Sequence, residues 1–237
     1  MQEYNLEKMV QGHEIWLEKS TTKDTQVTLA LLYGHNMKQD GVVDKNRFSP
    51  SVYLPDGSKG EIELSSVEDR HFLSFKGEKE GYYTVFTDMG TVVYSKNQDG
   101  YNVGPKFKFK DVTYSGAFHQ MAKTIVPVGN TGSFSAQPTH GILEIIPVKP
   151  DCTVGTDAEF TVYYEDKPLV SVPFKAVSKK EGKEIATVET DKDGKALIPI
   201  THDGEWMFLA RYIDPTKKVS EEFDESVFIS TLVLEAR

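Results

Sequence analysis

Two neighbouring stretches, Gly81-Tyr-Tyr-Thr-Val-Phe-Thr87 and Gly90-Thr-Val-Val-Tyr-Ser95, narrow the choice of fold more than anything else in the chain. Both are crowded with β-branched and aromatic residues, and each starts at a glycine. Such side chains lose rotamer freedom in a helix and pack well on a pleated surface. The same signature recurs at Thr25–Tyr33, Gly60–Ser65, Arg70–Phe75 and Gly141–Pro147. Short runs separated by Gly, Pro, Asp and Asn predict an all-β chain built from sandwiches.

A Gly-, Ser-, Thr- and Pro-rich stretch, Gly129 to Thr139, predicts a loop or linker. It divides the chain into an N-terminal β-rich domain, 1–138, and a C-terminal domain, 139–237. Strands are expected beyond it at Ala158–Tyr164, Val172–Val177, Lys183–Thr190, Ala196–Ile200, Gly204–Tyr212 and Val227–Glu235. That spacing predicts an Ig-like or prealbumin-like sandwich. Lys108 to Val126 is ambiguous: Phe118–Lys123 fits a short helix, and an extended reading fits equally.

Composition removes several functions. The net charge of -9 argues against nucleic acid and against docking on an anionic membrane surface. No apolar run approaches a membrane span. Cys152 is the single cysteine, so an internal disulfide and a multi-cysteine zinc site are both out of reach. No G-x-S-x-G, Walker or H-E-x-x-H motif is present; His13-Glu14 begins the last, but Leu17 stands where its second His belongs. No catalytic residue is expected, and the chain reads as a non-enzyme. Asp191-Lys-Asp-Gly194 resembles the opening of a calcium loop, but no glutamate follows at the required place, and a hairpin turn is expected.

The histidines are the remaining chemistry. His71 and His202 sit in a strand and a turn and read as structural. His13, His35, His119 and His140 fall at the edges of expected strands, and such edges can converge at one end of a sandwich. Neutral imidazole suits nickel, cobalt, copper or zinc. Met37, two residues after His35, offers either a thioether ligand or core packing. Exposed aromatics at Trp16, Trp206 and Tyr82-Tyr83 would instead favour a module that binds glycans or proteins.

Several segments, in order along the chain, carry a family likeness. They are Gly12-His-Glu-Ile-Trp-Leu17, Tyr33-Gly-His35, Gly81-Tyr-Tyr-Thr-Val85, Leu143-Glu-Ile-Ile-Pro147, Tyr163-Tyr-Glu-Asp-Lys-Pro-Leu169, Thr190-Asp-Lys-Asp-Gly194 and Gly204-Glu-Trp206. On these the chain resembles the DUF4198 family, whose members include extracytoplasmic proteins linked to nickel and cobalt uptake. The resemblance implies an exported β-rich protein, periplasmic or extracellular, that binds a transition metal and passes it to a membrane uptake transporter. It also implies that His13 lies near a processed N-terminus. Here MQEYNLEKMVQG precedes His13 without the apolar core of a signal peptide, so a leader removed or replaced is expected.

Overall fold

The computed structural model describes residues 12–23 and 25–237; the expectation about a leader lies outside the described residues. The chain is all-β. Its first half supplies β1 (Glu14–Lys23), β2 (Gln26–His35), β3 (Lys38–Gly41), β4 (Ser49–Tyr53), β5 (Lys59–Gly60), β6 (Glu63–Val67), β7 (Arg70–Lys76), β8 (Gly81–Asn97), β9 (Gly100–Val103) and β10 (Tyr114–Val128). The second half supplies β11 (Leu143–Pro147), β12 (Asp157–Tyr164), β13 (Lys167–Pro168), β14 (Pro173–Ser178), β15 (Lys183–Glu189), β16 (Lys195–Pro199), β17 (Gly204–Asp214) and β18 (Glu225–Ala236).

These strands form three sheets. The first is five-stranded, ordered β1-β2-β7-β6 with β3 beside β2. The long sheet is nine-stranded, ordered β15-β14-β17-β18-β10-β8-β4-β5 with β9 beside β8. The third is four-stranded and contains β11, β12, β13 and β16. At the centre of the long sheet β10 and β18 run parallel, from Gly116 opposite Glu225 to Thr124 opposite Val233. The expected domain boundary falls in the segment between β10 and β11, and the long sheet takes strands from both sides of it.

Alternation along the central strands assigns each face. Met121 and Ile125 of β10 pack with Phe208 of β17, Leu232 of β18 and the third sheet's Leu143, Phe160 and Ile198. Ala122 and Val126, one residue out of phase, pack with Ile15, Leu17, Leu29 and Leu73 of the first sheet. Both faces of β10 are packed, and each mixes polar with apolar side chains, His119 with Met121 and Gln120 with Ala122, so Phe118–Lys123 shows no clean two-residue alternation and fits helix and strand alike. The two stretches at Gly81 and Gly90 are one strand, β8, which shifts register against β10 across Met89 and Gly90. Gly90 adopts φ +69, as a bulge of this kind favours.

The first sheet meets the long one along an edge. Backbone carbonyls on the outer edge of β1 are taken by side chains: Gln120 Nε2 donates to His13 O at 3.1 Å, and Thr231 Oγ1 donates to Ile15 O at 2.7 Å. Ile15 and Leu17 face one way, while Trp16 faces the other and joins Val177, Met207 and Val233. Strand β1 is thus wedged between two apolar clusters with its open edge satisfied, which removes a template for unwanted pairing. This wedge fixes where its first residue, Glu14, and the preceding His13 come to rest.

Candidate functional site

Both Gly-His pairs of the sequence meet at one end of the first sheet. Strand β2 ends at His35, and a two-residue turn through Asn36 (φ 51) and Met37 (φ 59) sends the chain back as β3. Positive φ at both central residues is the geometry of a tight primed hairpin. Asn tolerates it; Met does so at a cost of roughly 1–3 kcal/mol. The Met37 side chain is buried with Trp16, Ala30, Leu32 and Val233, which offsets that cost. The thioether therefore serves the core.

Each glycine makes room. A Cβ on Gly34 would lie 2.1 Å from the backbone oxygen of Lys38, so only glycine lets β3 close onto β2. A Cβ on Gly12 would crowd the His35 ring at 3.3 Å. The β2–β3 register slips between Tyr33 and Gly34, leaving Asp40 as the extra residue. Its carboxylate reaches His13 Nε2 at 2.7 Å.

His13 is 6 % exposed and stacks on Tyr33 at 5.1 Å between ring centres. The His35 ring is exposed, and its centre lies 6.5 Å from that of His13. His35 Nδ1 stands 2.9 Å from the Gly12 carbonyl and 3.4 Å from Glu14 Oε2. The Gly12 carbonyl can only accept, so Nδ1 carries a proton towards it and Nε2 is the nitrogen turned away from this bond. Glu14 also accepts from Asn36 N at 2.7 Å, which ties β1 to the hairpin turn. Burial pushes the Glu14 carboxyl up to about 7, against the opposing pull of His35 and the Asn36 amide. Behind His13, Gln120 Oε1 is buried without a hydrogen-bond partner among the described residues.

The other two candidate ligands are placed elsewhere. His119 and Gln120 are successive residues of β10, so their side chains leave opposite faces. Gln120 points to β1; His119 points away, with its ring 6.0 Å from Phe228. His119 Nε2 lies 2.8 Å from both carboxylate oxygens of Asp88, and Nδ1 lies 3.1 Å from Thr91 Oγ1. Burial opposes ionisation of Asp88, but the bonds from His119 and the Gly90 amide hold its pKa below the ordinary value. His140 is exposed in the segment before β11 with φ 58. The structure brings together His13 and His35, and adds two carboxylates that sequence reasoning did not single out. A glutamate directly after His13 was visible; the bulge that aims Asp40 was not.

The remaining histidines are held by local bonds. His71 lies between Ser66 Oγ at 2.8 Å and the Val43 carbonyl at 2.6 Å, and His202 Nε2 lies 2.6 Å from Ser178 Oγ. Asp191 accepts from the amides of Asp193 and Lys195, the bonding of a turn. Cys152 is buried, and burial pushes its thiol up to about 12. Trp16 and Trp206 are fully buried, Tyr83 is 1 % exposed, and Tyr82 packs edge-on against Phe134. These four residues present no aromatic platform.

Among the described residues, no three His, Cys, Asp or Glu side chains are arranged to hold a metal as they stand. The donor types nevertheless fit: two imidazoles and two carboxylates suit a first-row divalent ion. Ring centres of two imidazoles on one ion lie about 5 Å apart at a tetrahedral angle and about 6 Å apart at most, given metal–nitrogen bonds near 2 Å. A shift of about 1 Å by the exposed His35 ring covers the difference. Among the described residues no helix is long and apolar enough to cross a membrane.

Fold and site together define an all-β protein with a histidine–carboxylate cluster where its first sheet begins. The chain belongs to the DUF4198 family, a domain of unknown function, whose model matches residues 10–214. No curated protein matches it. Among solved structures it aligns with the D0-D1 domain of intimin at 15% identity, over 93% of this chain and 97% of that one, with TM-score 0.23. The BSP domain of a biofilm-associated protein aligns at 12% identity over 93% and 29%, with TM-score 0.24. A native alpha-2-macroglobulin fragment from Escherichia coli aligns at 9% over 94% and 96%, with TM-score 0.25. Superpositions that loose carry no argument about what this chain does.

Proposed function

We propose that this protein binds a transition-metal ion outside the cytoplasm, nickel or cobalt first and zinc or copper next, and hands it to a membrane uptake transporter. The role is one of binding and delivery, without catalysis. One observation carries the reading. Two histidines 22 residues apart are brought side by side, and the exposed one has its Nδ1 engaged by a carbonyl while Nε2 is left to coordinate. Fixing one ring nitrogen so that the other can bind is how metal-ligating histidines are oriented.

His35 through Nε2 and His13 are the nitrogen ligands, with Asp40 or Glu14 as the carboxylate. Of these, Asp40 is the more exposed and the freer to turn. His119 and His140 are not needed. Imidazole ligation makes affinity fall as pH drops below the imidazole range.

The test is isothermal titration of metal-free protein with nickel, cobalt, zinc and copper. Micromolar or tighter binding, about -8 kcal/mol, is expected. His35→Ala should weaken it at least tenfold, about 1.4 kcal/mol, and His119→Ala should leave it unchanged. Unaltered nickel binding after His13 and His35 are both replaced by alanine would sink the assignment. The alternative is a glycan- or protein-binding module. It would then turn to the 800 Å³ cleft between β5 and β6, floored by Val52, Leu54, Ile62, Phe75 and Tyr83.

A further inference from the structure

Where β10 meets β11, a lysine is buried among apolar side chains. Lys123 lies on the face of β10 that carries Met121 and Ile125, with Phe86 of β8 opposite it on one side and Leu232 of β18 on the other. All four neighbours belong to one core cluster, and Lys123 itself is 3 % exposed. An ammonium brings three N–H donors to such a place. Among the described residues they find one acceptor, Glu144 Oε1 of β11 at 3.1 Å. Burial lowers the Lys123 pKa against the pull of Glu144, which favours the neutral amine, the nucleophilic form.

Glu144 is bonded just as unevenly. Its Oε1 accepts from Lys123 Nζ, from the Thr139 amide at 2.7 Å and from the Thr139 hydroxyl at 2.8 Å. Among the described residues no hydrogen bond reaches Oε2. Thr139 is itself buried, and its carbonyl is held by the Tyr53 hydroxyl at 3.1 Å. One carboxyl oxygen therefore rests in a fixed pair of donors, the arrangement that stabilises a developing oxyanion, with an amine in contact and water largely excluded.

We propose that Lys123 and Glu144 condense into an amide, which ties β10 to β11 and closes residues 123–144 into a covalent loop. The Nζ lone pair forms a bond to Cδ, Thr139 holds the charge that gathers on Oε1, and the Cδ–Oε2 bond breaks. The two protons shed by the ammonium go to Oε2, which leaves as water, so no co-reactant is needed. Holding amine and carboxyl side by side replaces an encounter between two molecules. The product also removes what the pair leaves unmet: an amide keeps one N–H where the ammonium had three, and both buried charges vanish.

Intact-mass spectrometry of the full chain, unfolded before injection, is the test. Wild type should weigh one water less than its sequence, and the fraction that does should rise while folded protein is incubated warm. Trypsin should fail to cut after Lys123, and fragmentation should join Lys123 to Glu144. Thr139→Val, which keeps the backbone donor and loses the hydroxyl, should slow the water loss at least about tenfold. Lys123→Met should keep its full mass; should that variant fail to fold, the fragment assignment in wild type decides alone. Asp-Gly pairs such as Asp56-Gly57 and Asp99-Gly100 can also lose water, by closing to a succinimide. Hydroxylamine opens a succinimide and leaves an amide intact. A wild-type chain that keeps its full mass after long incubation overturns the inference. So does a water loss that persists in Lys123→Met or is reversed by hydroxylamine.

Discussion

At the scale of single residues, Glu14 carries the sharpest electrostatic cost. It is 2 % exposed, accepts from the Asn36 amide and sits beside His35. Its carboxyl is raised by burial from the ordinary value of 4.5 to about 7. Between those two pH values the folded chain keeps a proton that the unfolded chain has released. Stability is therefore highest below about pH 4.5 as far as this group goes, and falls as pH rises towards 7. Glu14→Gln keeps the acceptor for Asn36 and abolishes the charge. It should raise the melting temperature at pH 8 relative to wild type and change it little at pH 5, in parallel thermal melts. A wild-type-like melting curve for the variant at pH 8 would show that the buried carboxylate is relieved by His35 alone. Neither value could be read from the sequence: His13-Glu14 was visible as a pair, but not that one neighbour would be buried against Asp40 and the other against Asn36.

At the scale of elements, the β2–β3 hairpin builds the site. Its turn residues are unusual for a primed hairpin, with Met37 at positive φ, and its closure depends on Gly34. Gly34→Ala drives a methyl into the Lys38 carbonyl. The strain should cost at least about 2 kcal/mol or splay β3, on the scale of overpacking and backbone misfit. Because β3 carries Asp40, the same change should weaken nickel binding, whereas Gly132→Ala, strained by its own φ of +55 but outside the hairpin, should not. Chemical denaturation and titration of both variants check this. The strands themselves were largely legible, since β-branched runs and turn residues mark β2, β7, β12, β17 and β18 close to their observed limits. The limits of β1 are not legible: its apolar run is only Ile15-Trp16-Leu17, which feeds clusters on both faces, and the polar residues that follow to Lys23 show no regular alternation. The convergence of His13 with His35 was likewise beyond sequence reach. It follows from antiparallel pairing of Glu14 with Gly34, a register set by burial along the whole of β1.

At the scale of the whole molecule, the long sheet binds the two halves, and one buried ion pair sits at their seam. Lys123 of β10 donates to Glu144 of β11 at 3.1 Å, and both are nearly inaccessible. Glu144 also accepts from the Thr139 amide and hydroxyl at 2.7 and 2.8 Å, pinning the segment between the two strands. Burial holds the Lys123 pKa below its ordinary value even though Glu144 pulls it up. Removing one partner leaves the other charged and unpaired. Lys123→Met should therefore cost about 3–5 kcal/mol. The double change Lys123→Met with Glu144→Gln should cost less than that single change, because no lone buried charge remains. Urea denaturation of the two variants separates these outcomes, and a double variant that loses as much as Lys123→Met or more would argue that the pair is hydrated.

The parallel contact between β10 and β18 also has a temporal meaning. Residues 116–124 emerge from the ribosome about a hundred positions ahead of 225–233, which must lie beside them in the middle of the sheet. The nascent chain can close hairpins such as β1–β2 early, yet the sheet that joins its halves stays split until the last strand threads between β10 and β17. Assembly of that sheet therefore finishes at its centre and not at an edge, with the slow, non-local step left for the end. A chain of this topology remains open, and so pliable, until β18 is free to enter.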